Sequence, residues 1–146
     1  MIYVGIDPGI KGGIATIDDT YSEGDSRRVA LYKIEGMTLM DVWITLGRQQ
    51  NATAILEKVS SSPQMGVVSA FTFGKSAGIL EAFLVAAGIP YTLVAPGTWQ
   101  RTMGCLTKGD KNISKARAQQ LFPDLRIIHA WADALLIAEY CRRTHV

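Results

Sequence analysis

Very little in this chain of 146 residues is chemically conspicuous: two cysteines, two histidines and a net charge of only +2. Cys105 and Cys141 have no metal-ligand spacing and are too few for a disulfide framework, so two free thiols in a reducing compartment are expected. There is no low-complexity tract and no internal repeat, which argues against a disordered tail or a solenoid. No apolar run is expected to reach the ~20 residues of a membrane span, so no membrane partner is expected. The N-terminus enters at once into apolar Ile2-Tyr3-Val4-Gly5-Ile6 without a basic leader, so no signal peptide is expected. What remains, 48% hydrophobic and 19% charged residues, is the composition of one compact domain over residues 1–146. A domain of that size buries roughly two thirds of its unfolded surface.

The charge is small but unevenly spread. Residues 1–95 carry seven Lys/Arg against nine Asp/Glu, whereas residues 96–126 carry six Lys/Arg against two Asp. A basic stretch after an acidic-leaning body suits an enzyme that binds phosphates around a metal. A solvated basic helix would look the same on this feature alone.

Turn residues and periodicity divide the chain. A first strand ends at Asp7-Pro8-Gly9, and glycines 9, 12 and 13 turn it into a second strand, Ile14–Ile17. A polar loop over 18–26 leads to a third strand, Arg28–Lys33. Met37 to about Gln50 reads as a helix with Leu39, Val42, Trp43 and Leu46 on one face. A buried strand over Thr53–Val59 follows, then a long helix over Gly66–Ala87 whose Gly74–Gly78 segment offers a small-residue face to another backbone. Tyr91–Val94 is a fifth strand. Short helices over Pro96–Met103 and Ile113–Phe122 and a closing helix over Trp131–Arg143 complete the order. Three antiparallel strands followed by helix-separated strands predict an α/β fold, a mixed five-stranded sheet flanked by helices, which is the RNase H-like topology.

Acidic residues fall at the ends of these elements. Asp7 closes the first apolar strand, where it could cap the following turn or face out from the sheet edge. Glu57 lies inside Ala54-Ile55-Leu56-Glu57-Lys58-Val59, too apolar for a solvated edge, and a buried Glu is costly without a compensating charge. A solvent pair with Lys58 is the plainer alternative. If the fourth strand pairs beside the first, Glu57 and Asp7 come together, and one would hold a proton unless a cation sat between them. Oxygen ligands of this kind favour Mg²⁺ or Mn²⁺. His129 and Asp133 are four apart and share a face if the last helix begins early enough; a capping or core role for His129 is the simpler alternative. Together Asp7, Glu57, Asp133 and His129 are candidate ligands of two divalent ions for phosphodiester hydrolysis.

At these residues the chain resembles the RuvC class of Holliday-junction resolvases, in particular the small phage and organellar members. Gly5-Ile6-Asp7-Pro8-Gly9 resembles their first motif, Leu56-Glu57-Lys58-Val59 the second, and Ala132-Asp133-Ala134-Leu135-Leu136-Ile137-Ala138-Glu139-Tyr140 the closing helix. Pro96-Gly97-Thr98-Trp99, Lys111 and Leu121-Phe122-Pro123 fall between them in the expected order. The resemblance implies a homodimer that binds four-way DNA junctions and nicks two strands symmetrically, with Asp7, Glu57 and Asp133 as metal ligands and two Mg²⁺ per site, Mn²⁺ substituting. It also implies that the enzyme works in the cytoplasm of a bacterial or phage-infected cell. The chain departs from the common pattern at Ala130, where many members carry a fourth acid, and His129 is the natural substitute.

The resemblance makes Lys111 an active-site lysine on the scissile phosphate, against the plain reading of an exposed loop lysine. Arg101, Lys108, Lys115 and Arg117 are read as DNA-backbone contacts. Met65 is the candidate for an apolar side chain intruding at the junction centre, with Phe71 and Phe73 in the core or a dimer interface. Two other readings share these residues: an RNase H-like nuclease acting on RNA–DNA hybrid or other branched DNA, and an inactive nucleic-acid-binding module on the same scaffold.

Overall fold

The structure is a computed structural model that describes residues 1–145. Its elements run β1 (Ile2–Asp7), β2 (Gly13–Asp18), β3 (Val29–Lys33), α1 (Leu39–Gly47), β4 (Ala52–Glu57), α2 (Val67–Ala86), β5 (Tyr91–Val94), α3 (Pro96–Thr102), α4 (Lys111–Leu121) and α5 (His129–Thr144). The sheet is five-stranded in the order β3-β2-β1-β4-β5. β1 and β2 pair antiparallel, as do β2 and β3, whereas β1–β4 and β4–β5 are parallel. The mixed sheet expected from the sequence is therefore the one observed.

Alternation along the central strands sorts side chains onto two faces. Val4 and Ile6 of β1 join Ala54 and Leu56 of β4 in a core covered by Val42 and Leu46 of α1 and Leu80 and Leu84 of α2. Tyr3 and Ile55 point the other way, into a core with Trp99, Met103, Phe122 and the body of α5. Asp7 follows the phase of Tyr3, and Glu57 that of Ile55. Both carboxylates therefore end their strands on the α5 side.

α5 is seated unusually close to the sheet. A Cβ at Gly5 would lie 2.2 Å from the Ala134 carbonyl oxygen and 2.2 Å from the Ala138 nitrogen, and one at Gly13 would lie 2.3 Å from the Ala130 oxygen. Glycine is thus required at both positions so that backbone can rest on backbone. With sheet below and helices around it, α5 buries every residue from Ala132 to Glu139, as an element wrapped on all sides must.

The sequence reading of α1 and α2 needs correction. Leu39 begins α1 but is 60% exposed, leaving Val42 and Leu46 as its buried face. Gly74 and Gly78 of α2 meet no atom that a Cβ would touch, so among the described residues no backbone uses the small-residue face. α2 is also, by length and composition, apolar enough to cross a membrane, with a mean hydropathy of 1.3 and only 17% of that stretch buried. That was not expected of any run in the sequence. Val67, Val68, Phe71 and Val85 stand exposed on it. Both cysteines are free and buried, and burial pushes their thiols up to about 11 at Cys105 and about 12 at Cys141.

Gly5→Ala should destabilise the protein by about 3 kcal/mol or more, because the new methyl meets only backbone and cannot be accommodated by a rotamer change. Urea unfolding is the check. A midpoint like that of the wild type would mean that α5 has room to lift.

Candidate active site

Parallel pairing of Ile6 with Leu56 brings the next residues on each strand, Asp7 and Glu57, side by side at one end of the sheet. α5 crosses that end with its first turns. Its first residue is His129, two positions earlier than the sequence suggested, and Asp133 lies one turn further on. Asp133 and Asp7 are buried, and Glu57 is half-buried. The fourth charged group arrives from α4. Asp110 caps that helix by accepting from the Asn112 amide, which makes Lys111 its first residue. The Lys111 ammonium stands 3.7 Å from Asp133 Oδ2.

The electrostatics are those of crowded, partly compensated acids. Burial, then the charges of Glu57 and Asp133, push the Asp7 carboxyl from the ordinary 3.8 up to about 8, with Lys111 opposing. Glu57 is also raised, first by burial; the hydrogen bond from Trp99 and the Lys111 charge pull against burial and Asp133. That bond runs from the buried Trp99 Nε1 to Glu57 Oε2 at 2.7 Å. Asp133 Oδ1 is buried with no hydrogen-bond partner. No turn amide donates to Asp7 among the described residues, so the capping alternative finds no support, and neither does a Glu57–Lys58 pair.

Glu139, six residues beyond Asp133 along the same helix, makes an instructive contrast. It is equally buried but receives Arg142 through bonds of 2.8 and 2.9 Å and Arg143 through one of 2.7 Å. An acid that serves the fold is answered by nearby donors. Asp133 is left with an open oxygen and one loose contact.

This oxygen-rich donor set suits a hard divalent cation. A cation would answer the open Asp133 oxygen and offset the burial and the neighbouring charges that raise the Asp7 carboxyl. Among the described residues no three His, Cys, Asp or Glu side chains close on a point as ready-made ligands.

The remaining candidates lie around this centre. His129 is exposed, on the face of α5 that carries Asp133. Arg101 on α3 and Lys108 in the loop before α4 are exposed, and Lys115 is half-buried on α4. Arg117 is engaged within the fold, donating from Nε to the Met103 carbonyl at 2.8 Å and from Nη1 to Gln120. Met65 is half-buried in the wall of a groove of about 650 Å³ shared with Gly9, Ile10, Met37, Val68 and Phe73. Phe73 packs over Gly9, which sits at φ 111°, while Phe71 is 71% exposed and belongs to no core. Sequence reading missed Trp99 as a site residue. A buried indole N–H needs an acceptor, but nothing in the Pro96–Thr102 segment marks Trp99 as buried.

Asp7 ties stability to pH. Its folded value of about 8 lies above the ordinary 3.8, so between those limits the folded state keeps a proton that the unfolded state has lost. Metal-free stability should therefore fall as pH rises from about 4 to 8. Asp7→Asn should flatten that slope and melt higher than the wild type at pH 8. Mg²⁺ should restore the wild type there, and the variant much less. Parallel melting curves for the two proteins across this range would contradict the assigned environment.

No family model matches the sequence, and no curated protein matches it. Solved structures do, and two of them are of one protein. One is Thermus thermophilus RuvC, at a TM-score of 0.64 and 19% identity, covering 96% of this chain and 92% of that one. The other is T. thermophilus RuvC in complex with a Holliday junction substrate, at a TM-score of 0.66 and 19% identity, covering 96% of this chain and 91% of that one. The fold is thus the one these structures share, an RNase H-like sheet with helices on both faces.

Proposed function

We propose that this protein is a metal-dependent, structure-selective endodeoxyribonuclease that resolves four-way DNA junctions by paired symmetric nicks. The observation that carries this reading is the open, buried oxygen of Asp133 beside Asp7 and Glu57, on a scaffold shared with a RuvC solved on a Holliday junction. Asp7, Glu57 and Asp133 would hold the metal, two Mg²⁺ or Mn²⁺ ions, with His129 as a fourth ligand. Bound ions of this kind supply an activated water and neutralise charge on the leaving oxygen.

The chain's own groups do the rest. Lys111, first residue of α4, offers its ammonium and the helix N-terminus to the scissile phosphate. Lys108, Lys115 and Arg101 carry the duplex arms by phosphate contacts, with Arg117 in a lesser role given its bonds within the fold. Met65, beside the turn that follows Asp7, is the apolar side chain for the junction centre. Two symmetric nicks need two sites related by a two-fold axis. The exposed Val67, Val68 and Phe71 of α2 supply an apolar face for a homodimer; a bilayer would instead have to take in the exposed Lys75 on that helix. The site of action would be the cytoplasm of a bacterial or phage-infected cell.

A panel of labelled four-way junction, linear duplex, flap and RNA–DNA hybrid tests the reading. The junction should be cut in the presence of Mg²⁺ or Mn²⁺, and Asp133→Asn should abolish cutting while still retarding the junction in a gel. Degradation of the hybrid with the junction untouched would assign the site to a different RNase H-like nuclease.

His129 gives a separate prediction. An imidazole ring nitrogen can ligate a divalent ion, so His129→Ala should lose most Mg²⁺-dependent cleavage while still retarding the junction. His129→Asp, which restores an oxygen ligand, should keep it. A His129→Ala variant that cuts like the wild type would reduce the ligand set to three acids.

A further inference from the structure

We propose that Trp99 is a positioning residue for the cation site, its indole N–H holding Glu57 by one oxygen and leaving the other for the ion. The inference rests on the metal-binding reading above. Trp99 is wholly buried, at 0% exposure, and donates to Glu57 Oε2 at 2.7 Å. It stands in the middle of α3, a short helix that Pro96 opens directly after β5. β5 is the parallel neighbour of β4, pairing Val94 with Glu57 itself. One side chain thus ties the end of β4 to the core layer under α5, which Trp99 shares with Met103, Phe122 and Leu135.

Packing alone does not call for tryptophan here. A phenylalanine would fill most of the volume without burying an N–H that needs an acceptor. The indole nitrogen only donates, and it neither ligates a cation nor carries a proton to be released. Any effect it has on chemistry must therefore pass through Glu57. Its neutrality matters as well. Lys111 compensates the same acid cluster with a full positive charge, which an incoming divalent ion must displace or repel. Trp99 steadies a carboxylate with no such cost. No other protein donor reaches Glu57 among the described residues, so its orientation depends on this bond. Donors of this type, bonded to a ligand rather than to the metal, typically account for 10- to 100-fold in metal affinity.

Calorimetric titration with Mn²⁺ on four proteins tests the inference: wild type, W99F, E57Q and the double variant. W99F should bind Mn²⁺ about tenfold more weakly than the wild type, and should change nothing further in the E57Q background. An equal loss in both backgrounds would make Trp99 a packing residue, and no loss in either would overturn the inference alone. Should W99F fail to fold, the wild-type protein still decides. With ¹⁵N-labelled indoles, and W43F and W131F to identify the other two signals, the Trp99 N–H resonance should move on Mg²⁺ titration and cease to move in E57Q. A stationary Trp99 resonance overturns the inference. Wild-type protein that bound no Mn²⁺ would overturn the metal site and this inference together.

Discussion

Carboxylates brought together out of water repel one another and lose hydration, so a fold that keeps three of them at one place must hold them there by packing. Here the holding element is α5, pressed onto β1 and β2 through contacts that only Gly5 and Gly13 permit. That seating sets the height of Asp133 above the strand end where Asp7 and Glu57 emerge. The consequence is visible in Asp7, whose carboxyl is pushed up to about 8 by burial and its two neighbours. Glu139 shows that the same helix can bury an acid comfortably when arginines answer it. The two acids differ in their partners: Glu139 is answered by two arginines, and Asp133 keeps one oxygen unbonded.

The two sides of the sheet divide the work. On the α5 side, α3 and α4 bring a neutral donor and a positive charge, Trp99 and Lys111, to the acids. On the other side, α1 and α2 close the second core but leave much of α2 uncovered. The proposed function would use both features: a rigid acid cluster, and a surface by which a second copy could be placed.

Much of this was legible in the sequence because it depends on local signals. The alternating apolar strands and the Pro-Gly turn after Asp7 placed the strands, and β5 was found with its observed limits, whereas β4 ends at Glu57, two residues before the expected Val59. Helix starts were harder to read. α5 begins at His129 after Ile128, which offers no side-chain cap, so the sequence carried no start signal. α4 begins at Lys111 because Asp110 caps it, a signal present but outweighed by the preceding Lys108-Gly109. Leu39 was assigned inward on hydrophobicity alone and is exposed, and of the two places open to Phe71, core or dimer interface, its exposure removes the core. The bond from Trp99 to Glu57 joins residues 42 positions apart, and no local pattern encodes it. The role of Gly5 was hidden for the same reason, since its constraint comes from a helix near the other end of the chain.

The central claim is that one protein assembly cuts two opposed strands of a four-way junction. A supercoiled plasmid that extrudes a cruciform reads this out in one gel. Two nicks made within one binding event linearise the plasmid, whereas independent nicks first give relaxed circles. The account predicts linear product from the earliest times with Mg²⁺ or Mn²⁺, with cuts at symmetric positions across the cruciform. Accumulation of nicked circles without linear product, or cutting that ignores the cruciform, would contradict it.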